Sequence, residues 1–465
     1  MNPANIFGKL KLAGFSREGW LFFFAFFASG LFFAALTPPY QMPDEPAHFM
    51  RSFQLVRGDW LPRPDTPDTL FPSALEPDVK AVNYLVFKED TRFSLPQLKT
   101  LVKNSPPLSA DNFAATKRRA DSDVALYFNT TAYSPVAYLP LSAGVLAARI
   151  LSLKAIYALY LARLASLLCA AIFITIGFEI IKKRFSERES LLYAVAAFIP
   201  MHIALAACAS TDGVTNTLAF LATAQGLAML ATADKTTGGE RFAFIMTSVL
   251  LGLCKYIYLV IPFVLELAYM QRDMKKRWPG SLFLIAAALL PAAGWSMAAA
   301  GILVGKSQGQ AAYVLAHPFL MLAAMGKLIL SFSYLRGMIG SFGWLDAPAS
   351  KFSIFAYLAA MLAAAVTFKS ETGLPRKTIW AGLALLLFVI LLGCYVAFTQ
   401  VGLDVIVGVQ GRYFLPGMAL FLIAAPELVK LSERGIKILK SAVATVWLYL
   451  MYSSLYGAVW KRFWS

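Results

Sequence analysis

Charge is scarce in this sequence: only 15% of its 465 residues are Asp, Glu, Lys or Arg, while 58% are hydrophobic. A soluble globule is about a quarter charged and about half apolar, so that class is excluded. Histidine is scarcer still, with three residues, His48, His202 and His317. Glu45 and His48 form one Glu-x-x-His pair of the kind di-iron bundles use twice, but no second pair occurs. The four cysteines, Cys169, Cys208, Cys254 and Cys394, lie in apolar runs without paired spacing. They read as small hydrophobes and do not report the redox compartment. A short apolar core with a small-residue cleavage site is also missing near the start, so the run 20–36 is expected to remain as a spanning anchor.

What fills the chain instead is long apolar runs, with a mean hydropathy of +0.62. The expected fold class is an all-α polytopic membrane protein forming a single membrane-embedded domain over 1–465. Its net charge of +16, from 42 Lys and Arg against 26 Asp and Glu, sits mostly in clusters at the ends of those runs. That pattern is the positive-inside signature with attraction to anionic membrane lipids, and does not indicate nucleic acid. The basic N-terminus (Lys9, Lys11, Arg17) is expected in the cytoplasm, which puts 38–131 outside as one large extracytoplasmic loop carrying amphipathic helices such as 95–102. If 135–150 spanned, the next helix, 157–181, would end outside on Lys182, Lys183 and Arg184. A re-entrant or interfacial hairpin is therefore expected there, interrupted by Pro140. The basic clusters 182–188, 235–241, 272–277, 369–377 and 430–437 then share one side. About eleven transmembrane helices follow, at 20–36, 157–181, 191–209, 213–233, 242–254, 256–270, 282–304, 352–368, 379–398, 413–429 and 436–456, with a second extracytoplasmic loop at 305–350. Lys461 and Arg462 fall outside under this scheme and are expected to act as an interfacial anchor beside Trp460 and Trp464.

The stretch 38–60, PPYQMPDEPAHFMRSFQLVRGDW, holds two adjacent acids where the first helix leaves the bilayer. Asp44, His48 and Arg51 recur at intervals of four and three, which puts them on one helix face ending at Gly58. The bland alternative is a surface helix with Asp44 as its N-cap, Glu45 at the positive dipole end and Pro46 in its first turn. Further polar residues on the same side are Asp212 in ASTDGVTN, Lys255 in GLCKYIYL, Asp346 in GSFGWLDAP, and Gln410, Arg412 and Tyr413 in GVQGRYFLP. Singly, each has a plain reading: Asp212 as a turn and cap, Lys255 snorkelling, Arg412 on a lipid phosphate. Convergence of ionisable residues from five separate loops at membrane depth favours a functional site.

In order along the chain, PDEPAHF, AYSPVAYLP, STDG, GWLD and GRYFLP resemble a bacterial branch of predicted membrane proteins labelled as a domain of unknown function. More broadly, the order of features is similar to the C-type fold (GT-C) of membrane glycosyltransferases, over about 20–456. That resemblance implies an inverting enzyme of the bacterial cytoplasmic (inner) membrane, with its active site on the extracytoplasmic side. It would move a sugar from a polyprenyl-phosphate-linked monosaccharide, such as an undecaprenyl phosphate donor, to a cell-envelope glycan acceptor: O-antigen, lipopolysaccharide or wall polysaccharide. Asp44 matches the catalytic loop aspartate with Glu45 beside it, and Arg412 and Lys255 are placed to hold the donor phosphate. His48, Arg51, Tyr138, Asp212, Asp346, Gln410 and Tyr413 would line the substrate site. The chemistry fits these residues, since a carboxylate can take the acceptor proton and cations can replace a general acid on a phosphate leaving group. A divalent cation, Mg or Mn, on Asp44 or Glu45 is compatible with this scheme but not required. Peptide acceptors are not expected, because no soluble outer domain follows the last span. The competing classes are a transporter or flippase for a lipid-linked sugar, which calls for repeated halves and broken helices at the midplane, and a non-catalytic scaffold.

Overall fold

The structure is a computed structural model that describes residues 14–64, 66, 68–122, 128–232, 235–303, 309–367 and 373–464. Lys9, Lys11, the start of the second expected loop (305–308) and the beginning of the 369–377 cluster lie outside these. The first helix, α1 (Arg17–Leu36), is capped by Ser16, whose hydroxyl accepts the Gly19 N–H at 3.1 Å. Phe22, Phe26 and Phe33 on one side of it are buried, whereas Leu21, Phe24 and Phe32 are exposed. That division fits a helix with protein on one flank and lipid on the other, since nothing else would cover the exposed rings.

Next come α2 (Glu45–Val56), α3 (Glu76–Val82) and α4 (Leu95–Asn104) in the long first loop, then α5 (Leu139–Ile150), α6 (Ala155–Arg184), α7 (Glu187–Ala197), α8 (Pro200–Ala206) and α9 (Thr211–Ala231). They are followed by α10 (Gly238–Lys255), α11 (Val260–Met270), α12 (Met274–Ala298), α13 (Gln310–Ala316), α14 (Pro318–Ser331), α15 (Ser333–Gly340), α16 (Lys351–Thr367), α17 (Arg376–Phe398), α18 (Met418–Ala424) and α19 (Glu433–Tyr452). Among the described residues, seven helical segments are long and apolar enough to cross a membrane, or up to nine if each of two bent pairs counts as one span. Eleven was the expectation. The 191–209 run is broken at Pro200 into α7 and α8, bent by 63°. The 352–368 run forms a 17-residue helix, and 413–429 is divided between a 3₁₀ segment and the seven residues of α18.

The segment Gly238–Met270, counted above as one span, is 33 residues long, yet its two ends meet. Arg241 and Glu266 form an ion pair, with one N–H···O distance of 2.6 Å. On a straight helix residues 25 apart would stand about 37 Å from each other. Lys255, at φ −154° and ψ 101°, is where the chain turns back, through the 3₁₀ turn Tyr256–Leu259. The same end of the bundle gathers the basic clusters: Arg184 binds Glu240 at 2.5 Å, Arg272 binds the Gly373 carbonyl at 2.8 Å, and Arg188 binds the Ala365 and Ala425 carbonyls at 2.9 and 2.6 Å. We call this end the basic face and the opposite end, which carries the first loop, the loop face.

The fold is mostly helical, but two short antiparallel ribbons correct the all-α expectation: Leu70–Pro72 with Thr116–Arg118, and Ser341–Phe342 with Ala347–Pro348. The expected second loop is another correction. Its described part is largely helical, because α13 and α14 are apolar enough to pack at membrane depth, bent at Pro318 by 102°. α5 has 12 residues, about 18 Å, too short for a bilayer core of about 30 Å. It lies against the first half of α6, so close that a Cβ on Gly144 would come 2.4 Å from the Leu161 carbonyl. Arg462 is not an interfacial anchor: it is buried, pairs with Asp346 at 2.7 Å and holds the Leu85 and Thr91 carbonyls of the first loop.

Asp78 fastens α3 to its neighbours. Its carboxylate accepts the Ser105 hydroxyl at 2.7 Å, and Ser105 in turn accepts the Ile156 N–H at 2.9 Å at the start of α6. Burial pushes the Asp78 carboxyl up from 3.8 to about 7, against the Ser105 bond and the Lys154 charge. An acid raised in the folded state binds its proton more tightly there than when unfolded, so folding stability falls as pH rises through that window, from about 4 to about 7. In thermal melts of the purified protein, Asp78→Asn should flatten that decline and match or exceed the wild type at pH 8. An unchanged slope would mean that Asp78 titrates as an ordinary exposed carboxylate.

Candidate functional site

Prolines on both sides of the acid pair decide its geometry. Pro46 sits in the first turn and fixes the start of α2 at Glu45, leaving Asp44 outside the helix at φ 61° and ψ 5°. A left-handed conformation is uncommon for any residue but glycine, with Asp and Asn the best tolerated. Asp44 stands at the N-cap position but makes no side-chain cap bond. Its carboxylate instead accepts Arg412 Nη2 at 2.8 Å, across 368 residues of chain, and its side chain stays half exposed.

Arg412 belongs to the 3₁₀ segment Gly411–Gly417. Gly411 lets this segment pack closely against its neighbour. A Cβ there would lie 2.1 Å from the Tyr334 carbonyl and 2.2 Å from the Met338 nitrogen, so the segment crosses α15 backbone to backbone. Arg412 is 5% exposed. Its Nε is 3.1 Å from Asp212 Oδ2 but off the hydrogen-bond axis, and its Nη1 has no partner among the described residues. Gln410 Oε1, two residues earlier, is also buried without one.

Asp212 lies in the first turn of α9, where Ser210 caps the helix by accepting its N–H at 3.2 Å. Its other contact is Lys255, from the break between α10 and α11, which pairs with Asp212 Oδ1. The ammonium is 5.7 and 5.8 Å from the ring centroids of Tyr133 and Tyr413. Asp44, Arg412, Asp212 and Lys255 thus alternate in sign along one line and sum to zero. His48, one turn along α2 from Asp44, joins them: Asp44, Asp212, Lys255 and Arg412 all act on its ring. Its Nδ1 lies 3.0 Å from the Tyr138 hydroxyl, and burial holds its pKa down to about 4.

Other expected site residues point elsewhere. Glu45, expected beside Asp44 as a second catalytic acid, turns into the core and receives Arg163 Nε at 2.8 Å, Nη2 at 2.6 Å and the Ala209 N–H at 3.0 Å. Arg51 is buried and donates to the Asp59 and Trp60 carbonyls at 2.7 and 3.0 Å, so it closes the end of α2. Asp346 is committed to Arg462. Because Glu45 and His48 bind different partners, the Glu-x-x-His pair does not converge, and no group of three or more His, Cys, Asp or Glu among the described residues is placed to hold a metal ion. Arg163 went unnoticed in the sequence, although a lone arginine within the apolar run 157–181 was a readable signal.

These features define a polytopic helical membrane protein with a charged site on its loop face. A family model for predicted membrane proteins, DUF2142, matches residues 26–422, and the chain belongs to that family. The comparison with curated proteins found no match, and neither did the comparison with solved structures.

The Glu45–Arg163 pair is 0% exposed on both sides. Removing one partner leaves the other charged and buried, which typically costs roughly 3–5 kcal/mol. Arg163→Met should therefore lower the unfolding midpoint of detergent-purified protein far more than Glu45→Leu/Arg163→Met combined. Equal loss in the single and double variants would show that the pair is not the source of the stability.

Proposed function

We propose that this protein is an inverting glycosyltransferase that takes a sugar from a polyprenyl-phosphate-linked monosaccharide and attaches it to a hydroxyl of a cell-envelope glycan. The observation that carries the reading is the Asp44–Arg412 contact, a half-exposed carboxylate bound to a buried guanidinium with unused N–H groups. A base and a phosphate grip are the two groups such a transfer needs, and they sit side by side. In this reading Asp44 and Arg412 guard each other until donor arrives. The carrier phosphate takes the guanidinium, which can offer two parallel hydrogen bonds, and the displaced Asp44 becomes free to act as base. The acceptor oxygen then bonds to the anomeric carbon as the carbon–phosphate oxygen bond breaks. The proton passes to Asp44 and the electron pair to the phosphate, whose charge Arg412 and Lys255 stabilise. Membrane lipid surrounds the exposed apolar helix faces, so a lipid carrier reaches the site without leaving the bilayer.

A second reading, translocation of a lipid-linked sugar, is favoured by the two broken helix pairs, bent by 63° and 102°. Against it, the charges gather at helix ends on the loop face. Reconstituted vesicles separate the two readings, since transport moves a labelled donor across the bilayer without cleaving it, and transfer cleaves it.

For the enzyme reading, Asp44→Asn should keep the fold and reduce transfer by roughly a hundred- to ten-thousand-fold. Arg412→Lys should weaken donor binding, and Arg412→Ala should weaken it further, because lysine supplies charge without the fork geometry. Full transfer in Asp44→Asn, or undiminished donor affinity in Arg412→Ala, would sink the assignment.

The reading also places the loop face outside the cytoplasm and the basic face inside. Lys99 and Lys437 are both exposed, one on each face. In intact cells an impermeant thiol reagent should label Lys99→Cys and spare Lys437→Cys. The reverse pattern would invert the topology.

A further inference from the structure

Tyr138 determines which nitrogen of His48 carries the proton. Its hydroxyl has a single hydrogen and lies 3.2 Å from the Thr130 carbonyl oxygen, which can only accept. Tyr138 therefore donates to Thr130 and accepts from His48, 3.0 Å away, so the imidazole proton resides on Nδ1. Nε2 is left with a lone pair. It has no hydrogen-bond partner among the described residues, yet it is not sealed from the surroundings as the Nε2 of His202 is. Burial opposes a second proton, holding the ring neutral down to about pH 4.

The site then has two chemically unlike halves. Arg412 and Lys255 offer only N–H donors, suited to an anion; Asp44 and His48 Nε2 offer only lone pairs, suited to hydroxyl groups. A phosphate oxygen facing Nε2 would meet lone pair with lone pair. A single hydroxyl has one proton and cannot donate to both Asp44 and His48 at once. A molecule with several hydroxyls can serve both.

We propose that His48 is the acceptor-positioning residue: through Nε2 it takes a hydrogen bond from a second hydroxyl of a polyhydroxylated acceptor whose attacking hydroxyl goes to Asp44. This rests on the glycosyl-transfer reading and deepens it, since it requires an acceptor with at least two hydroxyls and assigns recognition of the acceptor and of the carrier to different residues. Tyr138 acts through His48 by holding the tautomer.

The chain contains three histidines, so its full-length form in lipid nanodiscs, labelled with ¹⁵N-histidine, gives an assignable spectrum, with His48→Gln identifying the His48 signals. At pH 7 His48 should show a protonated Nδ1 and a bare Nε2, and should keep both on addition of undecaprenyl phosphate. Tyr138→Phe should remove the tautomer preference, which a merely structural role for Tyr138 would not do. The affinity of His48→Gln for undecaprenyl phosphate should stay within about twofold of the wild type, while Arg412→Ala should lose about tenfold or more. A protonated Nε2 at pH 7, with or without undecaprenyl phosphate, overturns the inference, and so does a loss of about tenfold or more in His48→Gln, which would put His48 on the phosphate. Failure of Arg412→Ala to lose affinity would instead count against the transferase reading, while the tautomer result would still decide whether His48 presents a lone pair.

Discussion

A single buried charge pair organises the loop face. Arg163 projects from the long apolar stretch in the first half of α6, and an unpaired guanidinium there would be severely destabilising. The fold satisfies it completely: Nε and Nη2 reach Glu45, and the remaining N–H groups reach the carbonyls of Ala34, Thr37 and Pro38. Three segments are thereby tied to one side chain: the end of α1, the linker after it and the start of α2. The carboxylate also takes the Ala209 N–H, which brings in the segment leading to α9. Asp44 and Asp212 are neighbours in space because the residues next to them are held by this knot.

The adjacent acids therefore divide their labour through backbone direction alone. Glu45 begins the helix and faces inward; Asp44 precedes it in a left-handed conformation and faces Arg412. A strained φ/ψ at a non-glycine residue is maintained only where its surroundings over-determine it, at a cost of roughly 1–3 kcal/mol. Here the surroundings are two prolines, a committed Glu45 and a waiting guanidinium. Alternating charges from Asp44 to Lys255 keep the site neutral, which limits the desolvation cost of holding four ionised groups together.

Much of this was legible beforehand, for reasons that differ from residue to residue. Composition alone indicated a membrane protein, because burial in water could not accommodate so many apolar residues. Asp44, His48, Asp212, Lys255 and Arg412 were recognisable because charge at the end of an apolar run needs a partner, and the structure brings those five together. Asp346 obeyed the same rule, but its partner was Arg462, and a sequence does not show which cation an acid will choose. Glu45 was misread because adjacent residues on a chain look equivalent until a helix start sends them in opposite directions. Span counting suffered most where proline intervened: Pro200 and Pro318 break runs that hydropathy reads as continuous or as loop.

The two pairings formed by the adjacent acids differ greatly in sequence separation, 118 residues for Glu45 with Arg163 and 368 for Asp44 with Arg412. A ribosome adds roughly 5–20 residues per second, so Arg163 follows Glu45 by about 6–24 s, and Arg412 follows Asp44 by roughly 20–70 s. Biogenesis consequently closes the structural knot early and leaves Asp44 without its guanidinium until nearly the whole chain has entered the membrane. A nascent chain stalled before residue 412 would already hold its first loop in place around Glu45, with part of its site in position but without the guanidinium.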